Sequence, residues 1–175
     1  KSSIYLNGYD KHVFGLDQLN GKDLSFNNYN DSFAALDILS SSENESTTVI
    51  IKHANPCGVA SNKSSFNSFM NAHASDPISA FGGVVACNYK INSKIALEIN
   101  KTFFEAILAK GFDKKALKIL KKKKNMRIID ISKISYKSDT TTKIFDNSFL
   151  LQEKDKTVFD RKKLKFVTKI KPTKN

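Results

Sequence analysis

The segment Thr48–Ile51 of "TTVIIKHANPCGVA" is β-branched and unalternating, with Val49, Ile50 and Ile51 apolar in succession. A strand that alternates can leave one face in water, but this one has no polar face to offer. It must be covered on both sides, the setting of a central strand in a layered α/β sheet. The rest of the chain supplies the covering layers. From Asp31, residues Phe33, Leu36 and Leu39 recur at helical spacing, with Asn30 or Asp31 as the expected N-cap. A second helix is expected from Ser64 or Ser65 to about Ala74, with Phe66, Phe69 and Met70 on one face. "VVACN" and "MRIIDIS" read as strands, "SKIALEINKTF" and "DKKALKILKKKKN" as helices, and "FEAILA" as a strand or a helix continuation. "SIYLNGY" reads as a short strand, and the tail holds two more. Alternating strands and helices predict an α/β fold. No linker interrupts the pattern, so one unit is expected.

The buried strand ends abruptly in Lys52 and His53, followed by Asn55-Pro56-Cys57-Gly58, which reads as a turn. In open α/β sheets, ligands sit at the carboxyl ends of strands. The Asp76–Gly83 loop is expected beside this pair, with Gly82-Gly83 giving freedom or close approach to the backbone. A histidine can take or give a proton near neutral pH, and a lysine can offset developing negative charge. On spacing alone, such a pair is more often a surface pair than a catalytic one. Adjacent strand residues also point to opposite faces, so one pocket receives both only if the backbone twists there. Cys57 has no acid or base arranged for it and reads as a packing residue. His12 and His73 read as ordinary loop and helix residues, and Lys121–Lys124 as a solvated helix end.

Composition narrows the partners. The formal charge is +12, but only Arg127 and Arg161 are arginines. Readers of nucleic acid favour the bidentate arginine fork, so nucleic acid is a minor reading and anionic small molecules suit the surface equally. Two cysteines, Cys57 and Cys87, make neither a disulfide framework nor a metal-type cluster. The sequence shows no apolar run of membrane-spanning length and no signal-peptide pattern. A cytoplasmic protein with reduced thiols is expected.

Several blocks, in order, resemble AICAR transformylase, the folate-dependent domain of the bifunctional AICAR transformylase/IMP cyclohydrolase family. They are "GKDLSFNNYND", "IIKHANPCGVA", "SDPISAFGGVVACN", "ALKILKKKKNMRII", "FLLQEKD" and "FVTKIKPT". The resemblance spans nearly the whole chain and implies a cytidine-deaminase-like, three-layer α/β/α subdomain with a mixed sheet. It implies formyl transfer from 10-formyl-tetrahydrofolate to the 5-amino group of AICAR, with no metal required. It makes His53 the proton-handling residue and Lys52 the stabiliser of the transition state. It places Gly82, Glu105 and Asn28 among the substrate contacts, and implies a homodimeric parent enzyme with sites at the interface. "FDNSFLLQ" lacks the glycine pair that relatives carry, and Lys110 stands where a proline is common. The family's RYG-x-NPHQ segment, its cyclohydrolase domain and the second transformylase subdomain are not in this sequence. The chain is therefore expected to be one subdomain of a longer enzyme, inactive or nearly so alone. Two rivals remain: a nucleotide-binding relic without turnover, and a lysine-rich RNA-binding module.

Overall fold

The computed structural model describes residues 17–42, 45–134, 136, 139–155, 163, 165–171 and 173. The strand expected at "SIYLNGY" and the histidine at position 12 lie outside these residues. The chain groups into two compact units, Lys1–Lys137 and Ser138–Asn175, although the sequence shows no linker between them.

In the first unit the elements run β1 (Gln18–Asn20), α1 (Phe26–Ser40), β2 (Ser46–Lys52), β3 (Asn55–Asn62), α2 (Ser65–Ser75), β4 (Val84–Cys87), α3 (Ser93–Lys101), β5 (Ala106–Ala109), α4 (Lys114–Leu120) and β6 (Arg127–Asp130). The sheet order is β1-β6-β5-β4-β2-β3. Strands β4, β5 and β6 are parallel to one another. β2 is antiparallel to β4, and β1 and β3 are antiparallel edges.

Alternate residues of each central strand feed two different cores. Val49, Ile51, Val84, Ala86, Ala106, Leu108 and Ile129 pack with Ala35, Leu36 and Leu39 of α1. Ile50, Val85, Cys87, Ile107, Ala109 and Ile128 pack with Phe69 and Ala72 of α2, Ile95 and Ile99 of α3, and Ala116 and Leu120 of α4. The result is the three-layer α/β/α architecture that an unalternating central strand requires.

Two local expectations are corrected. Helix α1 begins at Phe26, not Asp31. Ser25 is its N-cap, and a capping box joins Ser25 and Asn28 reciprocally. The buried stripe of α1 runs Asn28, Asp31, Ser32, Ala35, Leu36, Leu39. Its first turns are buried but polar, so hydrophobic periodicity starts one turn too late. The second correction concerns "NPCGVA". Residues Asn55–Asn62 form strand β3, not a turn, and pair with β2. Pro56 is tolerated because β3 is an edge strand. Gly58 is there for packing: a Cβ would sit 1.9 Å from the Ala72 carbonyl oxygen of α2. The register slips between Ile50 and Ile51, leaving Cys57 as the extra residue of a bulge.

Helix α2 starts as expected, with the Ser64 side chain accepting from the Asn67 amide. "FEAILA" resolves as the buried strand β5. Lys121, Lys122 and Lys124 are exposed, but Lys123 is half-buried and donates to the Thr102 carbonyl at 2.6 Å. Burial pushes its ammonium below the usual lysine range. His73 is structural: its ring stacks on Phe69 at 5.9 Å and meets Phe104 edge-on. Among the described residues, no helix is long and apolar enough to cross a membrane.

In the second unit, β7 (Thr140–Phe145) and β8 (Ser148–Glu153) form an antiparallel hairpin closed by Phe145 opposite Ser148. These are the two tail strands expected from the sequence.

Candidate active site

The true turn between β2 and β3 is His53-Ala54. Both residues have positive φ, 54° and 60°, and the flanking Lys52 and Asn55 are paired. Two left-handed residues in a two-residue loop are the requirement of a type I′ hairpin, normally met by Asn-Gly. Here neither residue is glycine. The Asn55 side chain donates to the His53 carbonyl at 2.9 Å across the turn. The Ala54 amide donates to Asp31 Oδ1 of α1 at 2.7 Å. This is the backbone twist that a Lys-His pair needs to reach one pocket.

That pocket is a cleft of about 340 Å³ lined by Ser25, Asn27, Asn28, Asp31, Lys52, His53, Phe81, Gly82, Phe103 and Glu105. All five site residues expected from the sequence line it: Lys52, His53, Gly82, Glu105 and Asn28. Its volume falls at the small end of ligand-binding clefts. Its position in the sheet differs from expectation. Because β2 is antiparallel to β4, the carboxyl end of β2 adjoins the amino ends of β4 and β5. Gly82 and Glu105 each sit just before one of those strands. The cleft therefore lies at the amino edge of the parallel strands, not at their carboxyl ends.

Each wall has a local cause. Lys52 Nζ donates to the Phe81 carbonyl at 2.5 Å, which holds the ammonium against the Asp76–Gly83 loop. Within that loop, Asp76 Oδ1 accepts from the Ser79 amide at 2.9 Å. Gly82 has φ +74°, and its amide donates to the Phe103 carbonyl at 2.8 Å. A Cβ there would stand 3.7 Å from Lys52 Nζ, so the glycine is needed for its left-handed backbone rather than for space. Gly83 is the opposite case, since a Cβ would come within 2.7 Å of the Ile51 carbonyl oxygen. The Phe81 and Phe103 rings lie 5.4 Å apart and are 56% and 45% exposed, an apolar rim to a polar cleft.

On the far wall, buried Asn28 donates through Nδ2 to Glu105 Oε2 at 2.7 Å. Arg127 Nη1 stands 3.7 Å from the same oxygen, and Arg127 Nε donates to the Asp23 carbonyl. Sequence reasoning missed the roles of Asp31 and Arg127. Asp31 follows Asn28 by three residues and so shares its helix face, a spacing that could have flagged it. Arg127 reaches Glu105 only through the parallel pairing of β5 and β6, which local sequence does not encode.

Cys57 is half-buried, and burial followed by the Asp76 charge pushes its thiol above the usual range. It is not set up as a nucleophile, in line with its reading as a packing residue. Among the described residues, no group of three His, Cys, Asp or Glu is placed to hold a metal ion.

In this α/β/α layer structure an imidazole and an ammonium on one left-handed hairpin face a carboxylate–amide pair across a polar cleft. Comparison with known proteins supplies the family. The model of the AICARFT/IMPCHase bienzyme family matches residues 1–175, and the chain belongs to that family. It is 42% identical over 174 residues to the bifunctional purine biosynthesis protein PurH of Thermoanaerobacter sp. (strain X514), covering 99% of this chain and 34% of the relative. It is 43% identical over 159 residues to PurH of Acetivibrio thermocellus, covering 89% of this chain and 31% of that protein. PurH of Aquifex aeolicus is 40% identical over 155 residues, covering 89% of this chain and 30% of the relative. The chain thus spans about a third of the length of the curated relatives it matches.

Proposed function

We propose that this chain carries the proton-handling part of a site that transfers a formyl group from 10-formyl-tetrahydrofolate to the 5-amino group of AICAR. It would do so as part of a longer polypeptide that also holds IMP cyclohydrolase activity. The observation that carries the reading is the shared placement of Lys52 and His53 on the His53-Ala54 hairpin, opposite Asn28 and Glu105. An aromatic amine beside a carboxamide is a poor nucleophile, so its proton must leave as the new C–N bond forms. His53 is the base for that proton and the acid that returns it to the departing folate nitrogen. Lys52 offsets negative charge on the formyl oxygen during attack. Asn28 and Glu105 offer amide and carboxylate groups suited to orienting the substrate's amine and carboxamide. The exposed Phe81–Phe103 rim offers an apolar surface on which a co-substrate ring could pack.

Family membership supports the coarse assignment to purine biosynthesis, and the resemblance around Lys52-His53 supports the finer one. The same resemblance is what supports a homodimeric parent enzyme. The test is the rate of formyl-AICAR formation by the full-length polypeptide carrying Lys52→Ala. A fall in kcat of about 100-fold or more is expected for lost charge stabilisation. A change confined to KM for AICAR would assign Lys52 to binding instead.

A further inference from the structure

The His53-Ala54 turn is costly as built. Left-handed backbone is disfavoured for any residue with a Cβ, and Ala54 has no side-chain polar group to favour it. Two-residue hairpins avoid that cost with Asn-Gly or Asp-Gly. Here the support comes from outside the hairpin. Asp31, on α1 and only 7% exposed, accepts the Ala54 amide at 2.7 Å. A carboxylate accepting a backbone N–H makes a charge-assisted bond, stronger than a neutral one. Asp31 also sits on the polar, buried stretch of the α1 stripe, where a core residue would otherwise stand. Without the left-handed turn, strand alternation would send Lys52 and His53 to opposite faces of the sheet.

We propose that Asp31 is a positioning residue: it holds the His53-Ala54 turn in its left-handed form and so presents His53 and Lys52 to one cleft. Its activity readout rests on the formyl-transfer reading above. Asp31 acts through the backbone of the hairpin and is not itself a reacting group.

The experiment uses the full-length polypeptide with Asp31→Ala, Ala54→Gly and the double variant. Asp31→Ala should lower kcat about 10–100-fold, the scale of a misplaced catalytic group. KM for AICAR should stay within about threefold, since the substrate-facing Asn28 and Glu105 are untouched. Hydrogen exchange at the Ala54 amide should speed up by about tenfold or more, while amides of Val49 to Ile51 keep their protection. Adding Ala54→Gly to Asp31→Ala removes the steric cost of left-handed backbone and should recover much of the lost kcat. Three results would overturn the proposal: unchanged kcat in Asp31→Ala, unchanged exchange at Ala54, or a loss of kcat that Ala54→Gly leaves in place. If the wild-type polypeptide itself shows no formyl transfer, the functional reading fails. Ala54 exchange then still decides whether Asp31 holds the turn.

Discussion

Two glycines near the site should respond to alanine for different reasons and by different amounts. Gly82 has φ +74°, and an added Cβ would meet Lys52 Nζ and Phe103 Cε1 no closer than 3.7 Å, which is ordinary contact. Gly82→Ala therefore suffers backbone strain alone, about 1–2 kcal/mol. Restricting the unfolded chain returns about 0.4–1 kcal/mol of that, leaving a net loss of about 1 kcal/mol. Gly58 has no such φ, but its Cβ would lie 1.9 Å from the Ala72 carbonyl oxygen and 2.9 Å from the Ala72 carbonyl carbon. Both atoms are helix backbone and cannot rotate away, so α2 must move off β3. Overpacking of this kind costs about 3 kcal/mol or more, the upper end of the usual range. Thermal melts of the two variants should show a fall of a few degrees for Gly82→Ala and about three times as much for Gly58→Ala, given roughly 2–5 °C per kcal/mol for a domain of this size. The kinetic effects should run the other way. Gly82→Ala places a methyl in the cleft beside Lys52 and should slow turnover beyond what its small loss of stability explains. A Gly58→Ala protein that melts with the wild type, or a Gly82→Ala protein that melts below the Gly58→Ala protein, would refute this reasoning.

The thiols provide a second check. Burial and the Asp76 charge raise the Cys57 thiol, and burial lifts Cys87 to about 11. Alkylation of the native protein at neutral pH should be slow at Cys57 and slower still at Cys87, and Asp76→Asn should speed it at Cys57 by removing a repelling anion. Asp76 gives a third. Hydrogen bonds from Ser79 lower its carboxyl below the ordinary 3.8, so the folded state gains stability while the group is ionised. That stability is present above about pH 4 and is lost as pH falls through the folded value. Acid titration of the melting temperature should be shallower in Asp76→Asn over that window, and identical curves would refute the linkage.

The central strands were legible because burial on both faces leaves nothing but apolar residues, as in Val49–Ile51 and Val84–Cys87. The Ser64 cap was legible because side-chain capping is local chemistry. What escaped was polar structure that tertiary contacts create. The first turns of α1 bury Asn28, Asp31 and Ser32, the first two at the cleft, so their periodicity carries no hydrophobic signal. The His53-Ala54 turn lacks the glycine that marks such hairpins, because Asp31 supports it from another element. Asn55-Pro56-Cys57-Gly58 resembles a turn, yet Gly58 serves helix packing and Pro56 an edge strand. Strand direction is a long-range property, so the sequence could not show that the cleft lies at the amino ends of β4 and β5. Lys52 and His53 stood out by residue type. Asn28, Gly82 and Glu105 were reached through family resemblance, and the structure brings all five to one cleft.

The most direct measurement is 10-formyl-tetrahydrofolate-dependent formylation of AICAR by the full-length polypeptide, wild type against His53→Ala. His53 is exposed at the cleft, so the variant should fold and melt close to the wild type. Loss of an essential proton-transfer group should lower kcat by about 100- to 10,000-fold. Wild-type turnover in a folded His53→Ala protein would contradict the assignment of this cleft as the site of formyl transfer.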